Sequence, residues 1–315
     1  MERIIDVHGH LGNVLFPGGG DHILHTGAKR RRFEFIRVMD RISIHAPALN
    51  KLVFKVLYRV PGGERLAVKL VAHADRVRND AATLEHLRHD LDKYGVSHFV
   101  ALPVSPNVLF DDVLAAAERD ERVIPFTTVD FDDLDNVEAR LADDVRRGAR
   151  GLKLHPILQR VALDSDEMAT AIAAFAPHGL PVLFHAGKCS YYDGCPCHRH
   201  REEPENGDIM TAAPLVERFP DVRFIAAHGA LDEVDELIEG FGGLPNVWVD
   251  ASFQEPGNIL RLVEAFGRDR VMYAADWPYG GMPLALHRSR QAAGDDDELR
   301  DRLLYRNAEE LLGID

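Results

Sequence analysis

Asp6-Val7-His8-Gly9-His10 closes an apolar run near the N-terminus, and side chains two apart on a strand point to the same side. His8 and His10 therefore aim together, and Asp6 shares their parity, which suits it to a supporting polar role. An H-x-H pair alone is weak evidence. Its weight changes with the other polar residues that end apolar runs: Lys153 and His155 close GLKLH, His185 closes PVLFH, His228 closes RFIAAH and Asp276 closes VMYAAD. Packing does not call for imidazoles and carboxylates at such places, because a buried one without a partner is strongly destabilising. Three neutral imidazoles and a carboxylate suit Zn2+ well and Mn2+ or Fe2+ acceptably, and leave open positions for water and substrate.

The elements that must hold these residues are short runs rich in Val, Ile, Leu and Phe at 4–8, 98–104, 123–129, 151–155, 181–185, 223–228, 247–250 and 271–276. Amphipathic stretches, among them 75–94, 134–147, 167–175, 211–219 and 231–241, alternate with them. Apolar runs without polar alternation mark parallel strands buried on both faces. Eight strand–helix repeats, with no G-x-G-x-x-G turn after the first strand, predict an α/β fold, a single (β/α)8 barrel over 1–315. Its strand tips converge on one axis at the C-terminal face, where the His, Lys and Asp residues then meet.

Two stretches exceed ordinary loops and are expected as insertions on that face, after strands 1 and 5. The first, 11–74, is read as helical, with helices near 33–42 and 49–57 and apolar residues such as Val38, Met39, Leu49, Leu52 and Val56 at helical intervals. It would serve as a lid, a subunit contact or a hairpin packed on the barrel. The second, 188–206, gathers Cys189, Cys195, Cys197, His198 and His200. These could hold a second, structural zinc, although the spacing matches no zinc-finger pattern, which favours a reduced pocket loop.

The chain has 315 residues, 46% hydrophobic and 28% charged, with a formal net charge of −14. That balance argues against nucleic-acid or anionic-membrane binding, which need clustered positive charge. One basic run, 29–32, is short and reads as a solvated helix end. The absence of a secretory pattern and of any ~20-residue apolar stretch leads to an expected cytoplasmic location.

Taken in order, His8-x-His10, GLKLHP, FHAG, AAHGA, AADWP and the closing YRNAEELLG resemble the amidohydrolase superfamily. More narrowly they resemble the amidohydrolase-related branch of metal-dependent barrels, which includes hydrolases and decarboxylases. The resemblance covers nearly the whole chain outside the two insertions. It implies one divalent ion, Zn2+ first and Mn2+ or Fe2+ next, held by His8, His10, His185 and Asp276, with His228 beside it as a catalytic residue. Lys153 stands where some superfamily members carry a carboxylated lysine bridging two ions. In this branch it is expected to bind a substrate carboxylate or carbonyl, the alternative being an ion pair with Asp130 or Asp250. His155 faces the same way as Lys153 and either lines the pocket or is a structural histidine before Pro156.

The function expected is hydrolysis of an amide, lactone or related bond in a small, carboxylate-bearing substrate. Water activated by the ion would attack, Asp276 would act as base, and His228 would steady the oxyanion. Two alternatives stand beside it: non-oxidative decarboxylation of an aromatic or unsaturated acid, and a non-catalytic metal-containing binding protein. The partner expected is a small molecule, with homodimerisation implied only by the resemblance.

Overall fold

A computed structural model describes residues 3–27, 35–192 and 196–314. Its strands are β1 (Ile5–Gly9), β2 (His98–Ala101), β3 (Val123–Pro125), β4 (Thr127–Thr128), β5 (Leu152–Leu154), β6 (Val182–Phe184), β7 (Phe224–Ala226), β8 (Val247–Asp250) and β9 (Val271–Met272). Every pairing is parallel, in the orders β1-β2-β3 and β4-β5-β6-β7-β8-β9. β3 and β4 form one stave interrupted at Phe126, whose N–H still donates to Ala101 O at 3.1 Å while Thr127 N–H turns to Gly151 O at 2.8 Å. The ring closes where Asp276 N–H donates to His8 O (2.9 Å) and His10 N–H to Trp277 O (2.6 Å). Eight parallel staves with helices between them make the expected (β/α)8 barrel.

Alternation sorts the strand side chains into two sets. Ile5, Val7, Val100, Leu102, Ile124, Phe126, Leu183, Ile225 and Met272 form one cluster across the ring. The intervening Leu152, Leu154, Val182, Phe184, Phe224, Ala226, Val247 and Val249 pack outward with the helices. Simple alternation from Ile5 and Val7 would send His8 and His10 outward as well. It does not, because the β1–β2 register shifts: Asp6 faces Phe99, but Gly9 faces Ala101. One extra residue in β1 turns the imidazoles inward, as bulges beside active sites do. Asp6 stays on the other side, its carboxylate accepting from Ala275 N–H (2.9 Å) and His8 N–H (3.2 Å). The shared parity expected of Asp6, His8 and His10 is thus corrected by the bulge. Gly9 is required there, since a Cβ would lie 2.2 Å from the Phe99 ring.

Among the described residues, three helices occupy the first insertion, where two were expected: α1 (Phe35–His45), α2 (Pro47–Arg59) and α3 (Gly63–Asn79). The basic run 29–32 and the expected helix start at 33 lie outside the described residues. The single helix expected over 75–94 is broken: α3 stops at Asn79 and α4 (Leu84–Tyr94) begins afresh. Thr83 caps α4 by accepting from His86 N–H at 3.3 Å, which satisfies a donor that the first turn leaves open. Among the described residues, no helix is long and apolar enough to cross a membrane.

Candidate metal centre

His8 Nε2, His10 Nε2 and Asp276 Oδ1 stand at the corners of a triangle with sides of 3.3, 3.6 and 3.5 Å. A circle through those atoms has a radius of about 2 Å, the length of a bond from zinc to an imidazole nitrogen or carboxylate oxygen. His228 also offers a nitrogen here: His8, His228 and Asp276 each present a ligand atom within 4.8 Å of the others. All four side chains are buried. Positive φ angles at His228 (59°) and Asp276 (52°) put both in the left-handed region that non-glycine residues seldom occupy. The sharp turns at the tips of β7 and β9 thereby carry both side chains to the barrel axis.

Each ring's outer nitrogen is already committed, which fixes what the inner one can do. His8 Nδ1–H donates to Asp250 Oδ2 (2.7 Å) and His10 Nδ1–H to Leu102 O (2.8 Å), leaving both Nε2 atoms as bare lone pairs. Asp250 Oδ1 accepts from Ser252 Oγ–H (2.6 Å), so Ser252 Oγ is the acceptor for His228 Nδ1–H (2.7 Å), and His228 Nε2 is bare too. His185 Nε2–H donates to Gly187 O (3.0 Å), which leaves its Nδ1 bare and 3.1 Å from His228 Nε2. Asp276 Oδ1 has no hydrogen-bond partner. Acceptors facing acceptors at these distances repel unless a cation lies among them. The residues therefore fit a divalent ion, with carboxylate or carbonyl partners behind the ligands in the manner typical of metal-bound histidines.

Burial holds the imidazoles neutral, the form that binds metal. It pushes His10 and His185 down to about 3, with the Lys153 charge adding to the effect. It also carries His8 and His228 well below the usual range. The Asp276 carboxyl is driven well above its usual range by burial, opposed by Lys153.

His8, His10 and Asp276 meet as the sequence implies, while His185 reaches the group through His228 and does not itself touch the triangle. Lys153 is fully buried and its Nζ makes no hydrogen bond. Burial lowers it to about 8, against the opposing pull of Asp276 and then Asp250. The alternative of an ion pair with Asp130 or Asp250 is not realised. His155 stacks on His185 at 4.4 Å between ring centres and meets Tyr191 Oη at 3.1 Å. It lines the site, and its Nδ1 also accepts from Leu158 N–H, at 3.3 Å.

Among the described residues, the loop 188–206 does not gather its sulfurs and histidines as a second zinc site would require. Cys189 turns to the barrel mouth with Sγ 3.5 Å from His185 Nε2, whereas Cys197 is exposed and meets His198 Nδ1 at 3.4 Å. Cys195 lies outside the described residues. Neighbours in sequence on an irregular loop need not share a direction, which is why the clustering of letters misleads.

Sequence reasoning missed the residues that hold the ligands. Asp250 was weighed only as a partner for Lys153, yet its carboxylate fixes the His8 ring and, through Ser252, the His228 ring; Oδ1 also accepts from His228 N–H at 2.9 Å. A signal was present, since Asp250 ends a strand as the ligands do and Ser252 follows at the same parity.

Comparison with known proteins agrees with this geometry. A family model described as Amidohydrolase matches residues 5–314. No curated protein sequence matches the chain. Among similar solved structures is an uncharacterized TIM-barrel protein from Bordetella bronchiseptica, at 17% identity and a TM-score of 0.64, over 99% of this chain and 98% of the other. Another is a probable 2-pyrone-4,6-dicarboxylic acid hydrolase from Acinetobacter baumannii with citric acid bound, at 16% and 0.59, over 100% of both chains. A third is a 5-carboxyvanillate decarboxylase from Novosphingobium aromaticivorans complexed with manganese and a hydroxymethoxynitrobenzoic acid, at 18% and 0.60, over 76% of this chain and 84% of the other. At such identities the structures show a shared fold, and the family match over nearly the full length carries the membership: the chain belongs to the amidohydrolase family of TIM-barrel enzymes.

Proposed function

We propose that this enzyme is a metal-dependent hydrolase of a small, carboxylate-bearing substrate with an amide, lactone or related bond. The observation that carries the reading is the convergence of bare nitrogen and oxygen acceptors on one point, with the unpartnered Lys153 ammonium inside the same ring of strands. Zn2+ or Mn2+ suits the donor set, with His8, His10 and Asp276 as ligands and His228 beside them kept free of the ion. When bound, such an ion supplies Lewis-acid activation of water and of the scissile carbonyl.

The chain's own residues do the rest. Lys153 anchors the substrate carboxylate, a charge pairing strengthened by the dry surroundings. His228 takes the proton of the attacking water at Nε2 and keeps its Nδ1–H, whose hydrogen bond to Ser252 Oγ, itself donating to the Asp250 carboxylate, stabilises the imidazolium that forms. The proton gained at Nε2 then goes to the leaving group. Asp276 would keep its oxygen toward the cation as a ligand, a placement that leaves the proton transfer to His228.

Decarboxylation of an aromatic or unsaturated acid is the second reading, favoured by the fold shared with the manganese-bound decarboxylase. Lys153 would then hold the carboxylate and His228 or Asp276 would protonate the carbon. Metal-loaded enzyme offered lactones, amides and hydroxybenzoates in 18O-labelled water distinguishes the two. Label in the product without CO2 supports hydrolysis; CO2 without label overturns it in favour of the lyase.

A further inference from the structure

After β6 the chain enters the second insertion, and its first turn forms a wall of the site. Glu202 is buried, at 4% exposure, and accepts three hydrogen bonds from that turn: Ser190 Oγ–H (2.7 Å) and Tyr192 N–H (3.2 Å) at Oε1, and Tyr191 N–H (2.7 Å) at Oε2. Among the described residues no ion pair joins it. A carboxylate held only by neutral donors, two of them backbone, fixes the path of the chain at 190–192 and with it the placement of the Tyr191 ring.

The Tyr191 hydroxyl donates no hydrogen bond to an oxygen or nitrogen among the described residues. His155 Nδ1 is occupied by Leu158 N–H, so His155 Nε2 bears the hydrogen and donates to Tyr191 Oη. That bond uses the phenol oxygen as acceptor and leaves the phenol's own hydrogen uncommitted. Tyr191 stands against the His155–His185 stack, 5.5 and 6.2 Å from those ring centres. His155 follows Lys153 by two residues at the tip of the same strand, so phenol and ammonium are donors of one wall.

We propose that Tyr191 is a substrate-binding residue. Its hydroxyl donates to a carboxylate or carbonyl oxygen of the acid substrate whose charge Lys153 neutralises, and Glu202 is the positioning residue that presents it. The proposal rests on the reading of the site as one for acids, and it goes beyond that reading by assigning a second donor and the residue that orients it.

Isophthalate, a planar dicarboxylate, titrated calorimetrically into the metal-loaded enzyme tests this without turnover. Tyr191→Phe should weaken binding about 10-fold, as expected for loss of one hydrogen bond to a charged group, with metal content and melting temperature unchanged. Glu202→Gln should weaken it about 3-fold in the parent enzyme and not at all in the Tyr191→Phe background, because Glu202 acts through the phenol. Lys153→Met separates the two layers of inference. Loss of binding in Lys153→Met with parent-like binding in Tyr191→Phe overturns the Tyr191 assignment and leaves the acid-substrate reading standing. Equal, additive losses from Glu202→Gln in both backgrounds overturn the positioning role. Failure of the parent enzyme to bind at millimolar isophthalate, or indifference to Lys153→Met, overturns both layers.

Discussion

Asp250 shows how one carboxylate can govern a site without facing it. Its two oxygens divide the work, Oδ2 setting the His8 tautomer and Oδ1 setting that of His228 through Ser252. Replacing it with Asn keeps the shape but puts an amide N–H2 where one of those acceptors was, so one ring must turn over or lose its partner. Asp250→Asn is expected to cut turnover about 100-fold and metal affinity about 10-fold, the usual range for a residue behind a ligand. Elemental analysis after dialysis and steady-state kinetics check it; full metal occupancy with unaltered rate would remove Asp250 from the site. Asp276→Asn should be more severe, about 1000-fold in turnover, because it replaces an anionic ligand with a neutral one, while the far-ultraviolet circular dichroism stays that of the parent.

At the scale of elements, the bulge in β1 and the breaks between helices decide where side chains face. Asp120 ties such pieces together: it accepts from Arg88 Nε on α4 (2.9 Å) and from Arg122 Nε (2.9 Å) and Nη2 (2.8 Å) just before β3. The Arg122 hydrogen bonds, more than the opposing burial, hold its carboxyl well below the ordinary range. A carboxyl depressed in the folded state contributes stability that is complete above its unfolded value near 4 and is lost as pH falls toward the folded value. Asp120→Asn is therefore expected to cost roughly 1–2 kcal/mol at pH 7, discounted for the partly exposed arginines, and to flatten the fall in stability below about pH 4. Denaturant titrations at pH 7 and pH 3 measure it. An equal loss at both would show that the ion pairs are not the cause.

For the whole molecule, an ion held between residues from β1 and from beyond β7 and β9 ties together segments distant in sequence. Binding that favours the folded state stabilises it by about 2.7 kcal/mol at a free-metal concentration of 100 Kd, so chelation should lower the melting temperature by about 4 °C for a chain of this length. Differential scanning calorimetry with and without a chelator gives the shift, and re-addition of Zn2+ or Mn2+ should restore it. A melting temperature indifferent to chelator in metal-replete protein would speak against the centre.

The barrel was legible because apolar runs of strand length alternating with amphipathic stretches admit few other packings, and His8, His10, His228 and Asp276 were legible because polar residues at strand ends have no packing reason to be there. Both are local patterns that the sequence carries on its own. The inward turn of His8 and His10 depends on a register shift between two strands, the pairing of Asp250 with two rings depends on three strands meeting, and the place of Tyr191 depends on a carboxylate eleven residues away folding back on it. These are contacts between segments whose spacing along the chain says nothing of their approach in space, so only the tertiary structure decided them.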